Sequence, residues 1–303
     1  MPSYTHLAYR RNAKAAARNQ QIKKPKNAEL LKKAREDFGF FCEYVADKPP
    51  AEHHQHWHRH FVTDQDSSCL IKIAGPNVDL LAPRGSAKST VLGLLTAWAI
   101  GIHTHEKLPL QILYLSYTVD IARSKSATIK RIIESKRYQE VFPSVRLLKN
   151  VTSNEYWSID HKFAGIDTTG EEQFTLCAAG LKGSVTSKRS HLVMIDDAIK
   201  SAADIANPDI RKQMQENWNA VIAPTMFEGA RAICLGTRFR HDDIHSTTFN
   251  EQNNWSQIVL SAILNDPETG DEKSYWPEMW SLDYLKEKKR QAPIAFSFQY
   301  MNQ

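Results

Sequence analysis

Short apolar runs of strand length alternate with longer stretches whose apolar residues recur at helical spacing. The runs Leu70 to Ile73, Val78 to Leu81, Ile112 to Ser116, Tyr156 to Ile159, Phe174 to Ala178, Leu192 to Ile195 and Ala232 to Leu235 read as strands. Lys88 to Gly101, Thr118 to Ser135, Pro208 to Ile222 and Asp242 to Gln252 read as helices, followed by Trp280 to Lys289 and Ile294 to Tyr300. Strand–helix alternation with wholly apolar strands predicts an α/β layer architecture with a mostly parallel sheet. Ahead of it, Asn27 to Val45 predicts one helix, which Pro49 and Pro50 close off. Residues 1–26 are polar and basic and read as an arm. The expected division is that arm, a helical segment 27–68, a core 69–260 and a helical extension 261–303.

Composition changes this picture little. The 303 residues are 42% hydrophobic and 24% charged, which excludes a wholly disordered or collagen-like chain. Thirty-nine Lys and Arg against 34 Asp and Glu leave a formal charge of +5, which permits an anionic partner without requiring one. Arg10, Arg11, Lys14, Arg18, Lys23, Lys24 and Lys26 meet no acidic residue in the arm, so it is either a solvated tail or a contact for nucleic acid or a partner. Cys42, Cys69, Cys177 and Cys234 form no Cys-x-x-Cys pair and suit reduced core positions of a cytosolic protein. No secretory segment opens the chain, and the apolar stretch Val91 to Ile102 is too short for a membrane span. His53, His54, His56, His58 and His60 invite a metal reading, but on a helix they point in several directions, so a groove-packing helix is the expectation.

Chemistry concentrates in three places. Ala82-Pro83-Arg84-Gly85-Ser86-Ala87-Lys88-Ser89-Thr90 lies between an apolar run and a helical run, the context of a phosphate-binding loop. Backbone N–H groups of such a loop wrap phosphates at a helix N-terminus. Lys88 then reaches the β- and γ-phosphates of ATP, and Ser89 coordinates Mg²⁺. Ala82 and Ala87 stand where glycines are usual, so the loop is expected to avoid strongly positive φ at both. The second place is the apolar strand ending in Asp196-Asp197, where Asp196 suits the Mg²⁺ shell and Asp197 the base that activates water. The third is Thr237-Arg238, at the end of Ile233-Cys234-Leu235, where a polar group can sense the γ-phosphate. Arg84 is the first choice for a guanidinium clamp on the transferring phosphoryl group, with Arg123, Arg131, Arg189 and Arg238 in reserve. The Gly- and Ser-rich basic stretch Gly180 to Arg189 is either a phosphate or subunit contact or a solvated connection.

From about His53 to Gln303 these residues resemble the large terminase subunit of tailed double-stranded DNA bacteriophages, in its packaging ATPase domain. The resemblance runs through Ala82 to Thr90, Ile112 to Tyr117, Gly180 to Arg189, Ile195 to Lys200, Gly236 to Ile244 and Phe298 to Tyr300. It implies a P-loop NTPase of the RecA-like, ASCE type, using ATP and Mg²⁺ to drive duplex DNA into a procapsid. It also implies a portal protein, a small terminase subunit and a ring, commonly a pentamer, as partners. The isolated chain is left open to a monomeric state. Its place would be the host cytoplasm, docked transiently on the procapsid and absent from the mature virion. Asp197 departs from the Glu of some members. The family's nuclease domain has no counterpart before Gln303, so no nuclease activity is expected of this polypeptide. Two other readings stand beside this one: a helicase-like translocase, and a DNA- or capsid-binding protein with a degenerate nucleotide site.

Overall fold

A computed structural model describes residues 27–61, 76–168, 174–183, 185, 188–252 and 254–303. The basic arm, Cys69 and the expected strand Leu70 to Ile73 lie outside the described residues. The N-terminal helical stretch is two helices, α1 (Asn27–Glu36) and α2 (Phe38–Ala46), and not one. Asp37 breaks it: its extended backbone and its carboxylate, accepting the Phe40 N–H at 3.0 Å, start a new helix. Then come α3 (Glu52–Phe61), β1 (Asn77–Leu81), α4 (Lys88–His105), β2 (Ile112–Ser116), α5 (Val119–Glu134) and α6 (Lys136–Val141). The chain continues through β3 (Leu147–Thr152), β4 (Tyr156–Ile159), α7 (His161–Ala164), β5 (Leu176–Gly180), β6 (Ser190–Asp196) and α8 (Pro208–Asn217). It finishes with β7 (Met226–Gly236), β8 (Trp255–Val259), β9 (Ile263–Asn265), β10 (Glu272–Ser274), α9 (Leu282–Gln291) and α10 (Pro293–Gln299).

Eight strands form one sheet in the order β3-β4-β5-β2-β6-β7-β1-β8. The six from β5 to β8 are parallel, and β3 and β4 add an antiparallel edge. Successive side chains on a strand face opposite ways. Thus Ile112, Tyr114, Leu192, Met194, Ile233 and Leu235 pack with α2, α4 and α5 on one face. Leu113, Leu115, Val193, Ile195, Ala232 and Cys234 pack with Met214, Trp218 and Phe249 on the other. This double burial is why the central strands β2, β6 and β7 read as largely apolar runs. α4 lies inside the first layer, so nearly all of its side chains are buried. α5 is amphipathic, burying Ala122, Ser126, Ile129 and Ile133, and Thr118 caps its N-terminus.

Three expected elements differ in the structure. Pro208 to Ile222 is α-helical only to Asn217 and then widens into a π turn over Trp218–Ile222. Within Asp242 to Gln252 only a five-residue π turn forms, His245–Phe249. The strand expected at Phe174 to Ala178 begins two residues later, in register with β2. Strands β3, β8, β9 and β10 were not legible as apolar runs because they lie at edges and carry polar residues.

Buried Arg231, on β7, donates to the carbonyls of His60, Phe61 and Pro76 at 2.7, 3.0 and 2.8 Å. It thereby ties the end of α3 to the start of β1. The C-terminal extension forms its own small core of Ala262, Ile263, Tyr275, Leu285 and Phe296, against the loop that follows β1. Cys42, Cys177 and Cys234 are buried. Among the described residues no helix is long and apolar enough to cross a membrane.

Candidate active site

β1 and β6 deliver their C-terminal ends to the same edge of the sheet, with β7 between them. The loop 82–87 leaves β1 there and passes into α4, whose first-turn N–H groups have no partner within the helix. A cavity of about 420 Å³ opens over this edge, within the size range of small-molecule sites. Arg84 to Thr90 line one side of it, and Asp196, Asp197 and Thr237 the other.

The loop is turned by two residues in the left-handed region, Gly85 at φ 80° and Ala87 at φ 63°. The expectation that alanine excludes positive φ therefore fails at Ala87 and holds at Ala82. The reversal into α4 needs that conformation whichever residue stands there, at a cost of about 1–2 kcal/mol for a residue with a Cβ. At Gly85 a Cβ would also lie 2.6 Å from the Trp280 ring. Trp280 Nε1–H donates to the Gly85 carbonyl at 3.3 Å, and the Arg84 N–H donates to the Gln299 carbonyl at 3.1 Å. On the opposite flank His54 contacts the Ser86 carbonyl at 2.9 Å.

Lys88 is buried, and its Nζ donates to the carbonyls of Ala82 and Pro83 at 3.0 and 3.1 Å. Desolvation lowers its pKa, while the carboxylates of Asp197 and Asp196 act in the opposite sense. The Ser89 hydroxyl donates to Asp196 Oδ1 at 2.7 Å, joining helix start to strand end. Tyr114 donates to Asp196 Oδ2 at 3.3 Å, and Lys125 Nζ lies 3.6 Å from the same oxygen. Burial and the neighbouring Asp197 push the Asp196 carboxyl up to about 6. Asp197 has φ 50°, and its Oδ1 is buried with no hydrogen-bond partner among the described residues. Two hard carboxylates, one of them with an orphaned oxygen, and a hydroxyl form the donor set that Mg²⁺ prefers, so the residues present fit that ion.

Thr237 lines the cavity and bonds the Ala82 carbonyl at 3.3 Å. Arg238 does not line it; its N–H donates to Asn302 Oδ1 at 3.1 Å. The acidic pair after it has structural partners. Asp243 accepts the N–H groups of Phe239 and Arg240, and Asp242 pairs with Arg211 at 2.7 Å. Arg84 is exposed beside the cavity, 5.6 Å from the Phe239 ring centroid. Of the reserve arginines, Arg123 pairs with Asp120 and Glu155, Arg131 bonds Thr128, and Arg189 bonds the Pro224 carbonyl. Within Gly180 to Arg189, residues 184, 186 and 187 lie outside the described residues. His53 and His54 are buried against Trp57, Tyr275 and Trp276, as a groove-packing helix requires. Sequence reasoning missed Tyr114, Lys125, His54 and Trp280 as site neighbours. Tyr114 and Lys125 sit at ordinary strand and helix positions and carry no motif. The other two arrive from segments far away in sequence.

No family model matches the chain, and no curated protein matches it either. Solved structures do. The large terminase of bacteriophage HK97 is 14% identical, with a TM-score of 0.51, over 92% of this chain and 55% of that one. The large terminase of a thermophilic bacteriophage is 9% identical, with a TM-score of 0.50, over 84% of this chain and 54% of that one. This chain therefore spans about half the length of those two proteins. At such identities the likeness speaks for the fold alone. The chain adopts the RecA-like P-loop fold of bacteriophage large terminases.

Proposed function

We propose that this chain hydrolyses ATP with Mg²⁺ and that hydrolysis drives duplex DNA into a viral procapsid, as the ATPase part of a large terminase. The observation that carries the reading is the 2.7 Å contact between Ser89 and Asp196 beside Lys88 and the orphaned Asp197 oxygen. A turn that merely starts a helix has no reason to meet a buried carboxylate and a half-buried one at the end of a strand two places away in the sheet.

In this reading the N–H groups of the loop and of the first turn of α4 bind phosphate oxygens. Lys88 exchanges its two carbonyl partners for phosphate oxygens, which restores the solvation its burial removes. Mg²⁺, when bound, supplies charge neutralisation, and Ser89 and Asp196 hold it. Asp197 orients a water molecule and accepts its proton at Oδ1. Arg84 clamps the developing charge from the solvent side, and Thr237 links the phosphate edge to the β7 exit.

Duplex DNA, a portal protein, a small terminase subunit and a ring of copies are the proposed partners, in the host cytoplasm. Contact with DNA is phosphate-directed and so salt-sensitive. The test is Mg²⁺-dependent ATP turnover by wild type and Lys88→Ala, with duplex and single-stranded DNA as effectors. Turnover lost in Lys88→Ala and favoured by duplex supports the proposal. A rate independent of Lys88 overturns it, and unwinding with a preference for single strands selects a helicase-like motor instead.

A further inference from the structure

We infer that His54, on α3, is a positioning residue that aims the 86–87 peptide of the loop at phosphate. The inference deepens the nucleotide reading above and rests on it. The ring's tautomer follows from its partners. Nδ1 accepts the Ala51 N–H at 3.1 Å, so Nε2 carries the proton and donates it to the Ser86 carbonyl at 2.9 Å. Burial lowers the His54 pKa, in keeping with a neutral ring. The ring is clamped by its neighbours: His53, Trp57 and Trp276 lie 3.9, 5.1 and 5.3 Å away between centroids.

A trans peptide holds its C=O and N–H on opposite sides. With the Ser86 oxygen drawn towards α3, the Ala87 N–H points away from α3, to the cavity side that Ala87 lines. That residue is in the left-handed region without being glycine. A left-handed residue next to right-handed ones makes a concave array of N–H groups suited to an anion. A flipped 86–87 peptide would relieve Ala87 and turn a carbonyl oxygen towards phosphate. The His54 hydrogen bond opposes that flip. The Ala-for-Gly substitution in the loop and the histidine on α3 thus belong to one arrangement.

The experiment measures binding of a fluorescent Mg·ADP analogue to wild type, His54→Leu, His54→Gln, His54→Asn and Lys88→Ala, each with its thermal melt. A glutamine amide nitrogen occupies the place of Nε2, whereas that of asparagine falls at Nδ1. The expected result is about tenfold weaker binding in His54→Leu and His54→Asn, and recovery to within about threefold in His54→Gln. A purely structural histidine would not order the variants by donor position. Wild-type affinity in His54→Leu, or equal affinities for Gln and Asn, overturns the inference. Should the Leu variant not fold, the Gln-to-Asn comparison decides alone. Unchanged binding in Lys88→Ala removes the nucleotide reading and this inference with it. Loss in Lys88→Ala beside wild-type affinity in His54→Leu removes only the inference.

Discussion

Two acidic clusters lie on strands of the same parallel sheet, and they are built in opposite ways. Asp79, in the middle of β1, is fully buried, and both its oxygens are used. One meets His245 Nδ1 at 2.9 Å and the other accepts from Gln257 at 2.9 Å. Gly236 makes room for the imidazole, since a Cβ there would lie 2.5 Å from the ring. Burial alone would lower the His245 pKa, but the carboxylates of Asp79 and Asp243 together outweigh it and the net shift is upward. At the strand ends, Asp196 and Asp197 sit beside one another with like charge and an orphaned oxygen. A carboxylate with both oxygens taken holds strands together. An open one keeps capacity for something that is not protein.

The comparison breaks most visibly at Asp79. Asp79→Ala leaves His245 and Gln257 buried without their acceptor, and should cost about 3–5 kcal/mol in a denaturant titration. Asp197→Asn should leave that titration nearly unchanged, because Oδ1 has no hydrogen-bond partner among the described residues and the lost attraction to Lys88 is offset by the lost repulsion of Asp196. In the proposed role it lowers ATP turnover about 100-fold while nucleotide binding persists. Loss of binding instead would make Asp197 a metal or structural residue.

The histidines of α3 sharpen the contrast from another side. Burial and neighbouring His54 depress the His53 pKa from 6.5 to about 3. Below pH 6.5 the unfolded chain takes up a proton that native His53 refuses, so stability falls as pH drops from 6.5 towards 3. Neither ring nitrogen has a hydrogen-bond partner among the described residues, so His53→Phe keeps the aromatic packing and removes the penalty. The variant should lose about 2 kcal/mol less than wild type between pH 7 and pH 5, read by thermal or chemical unfolding at the two pH values.

The smallest effect is expected at Gly85. Gly85→Ala places a Cβ against Trp280 at a positive φ, and about 1–2 kcal/mol of stability should go. Gly85→Ala combined with Trp280→Phe separates the ring contact from the backbone term. If both variants melt alike, the φ angle alone sets the cost.

The sequence by itself determined what is local. Strand–helix alternation announced the layered sheet, and the loop 82–90 and the strand ending at Asp196 were legible as contiguous motifs. Contiguity is the reason, since a turn, a helix start and a strand end each need only a few neighbouring residues. The same logic misjudged Ala87, because alanine's intrinsic preference is weaker than the geometry needed to turn β1 into α4. It ran α1 and α2 together, because helical periodicity passes through Asp37 unbroken. Only tertiary structure decided the strand order, which brings β6 to the loop's edge with β7 in between. It alone set His54 on one flank of the loop and Trp280 and Gln299 on the other, across about 30 to 210 residues of chain. Such pairings follow from how buried faces stack, and no window of sequence contains them.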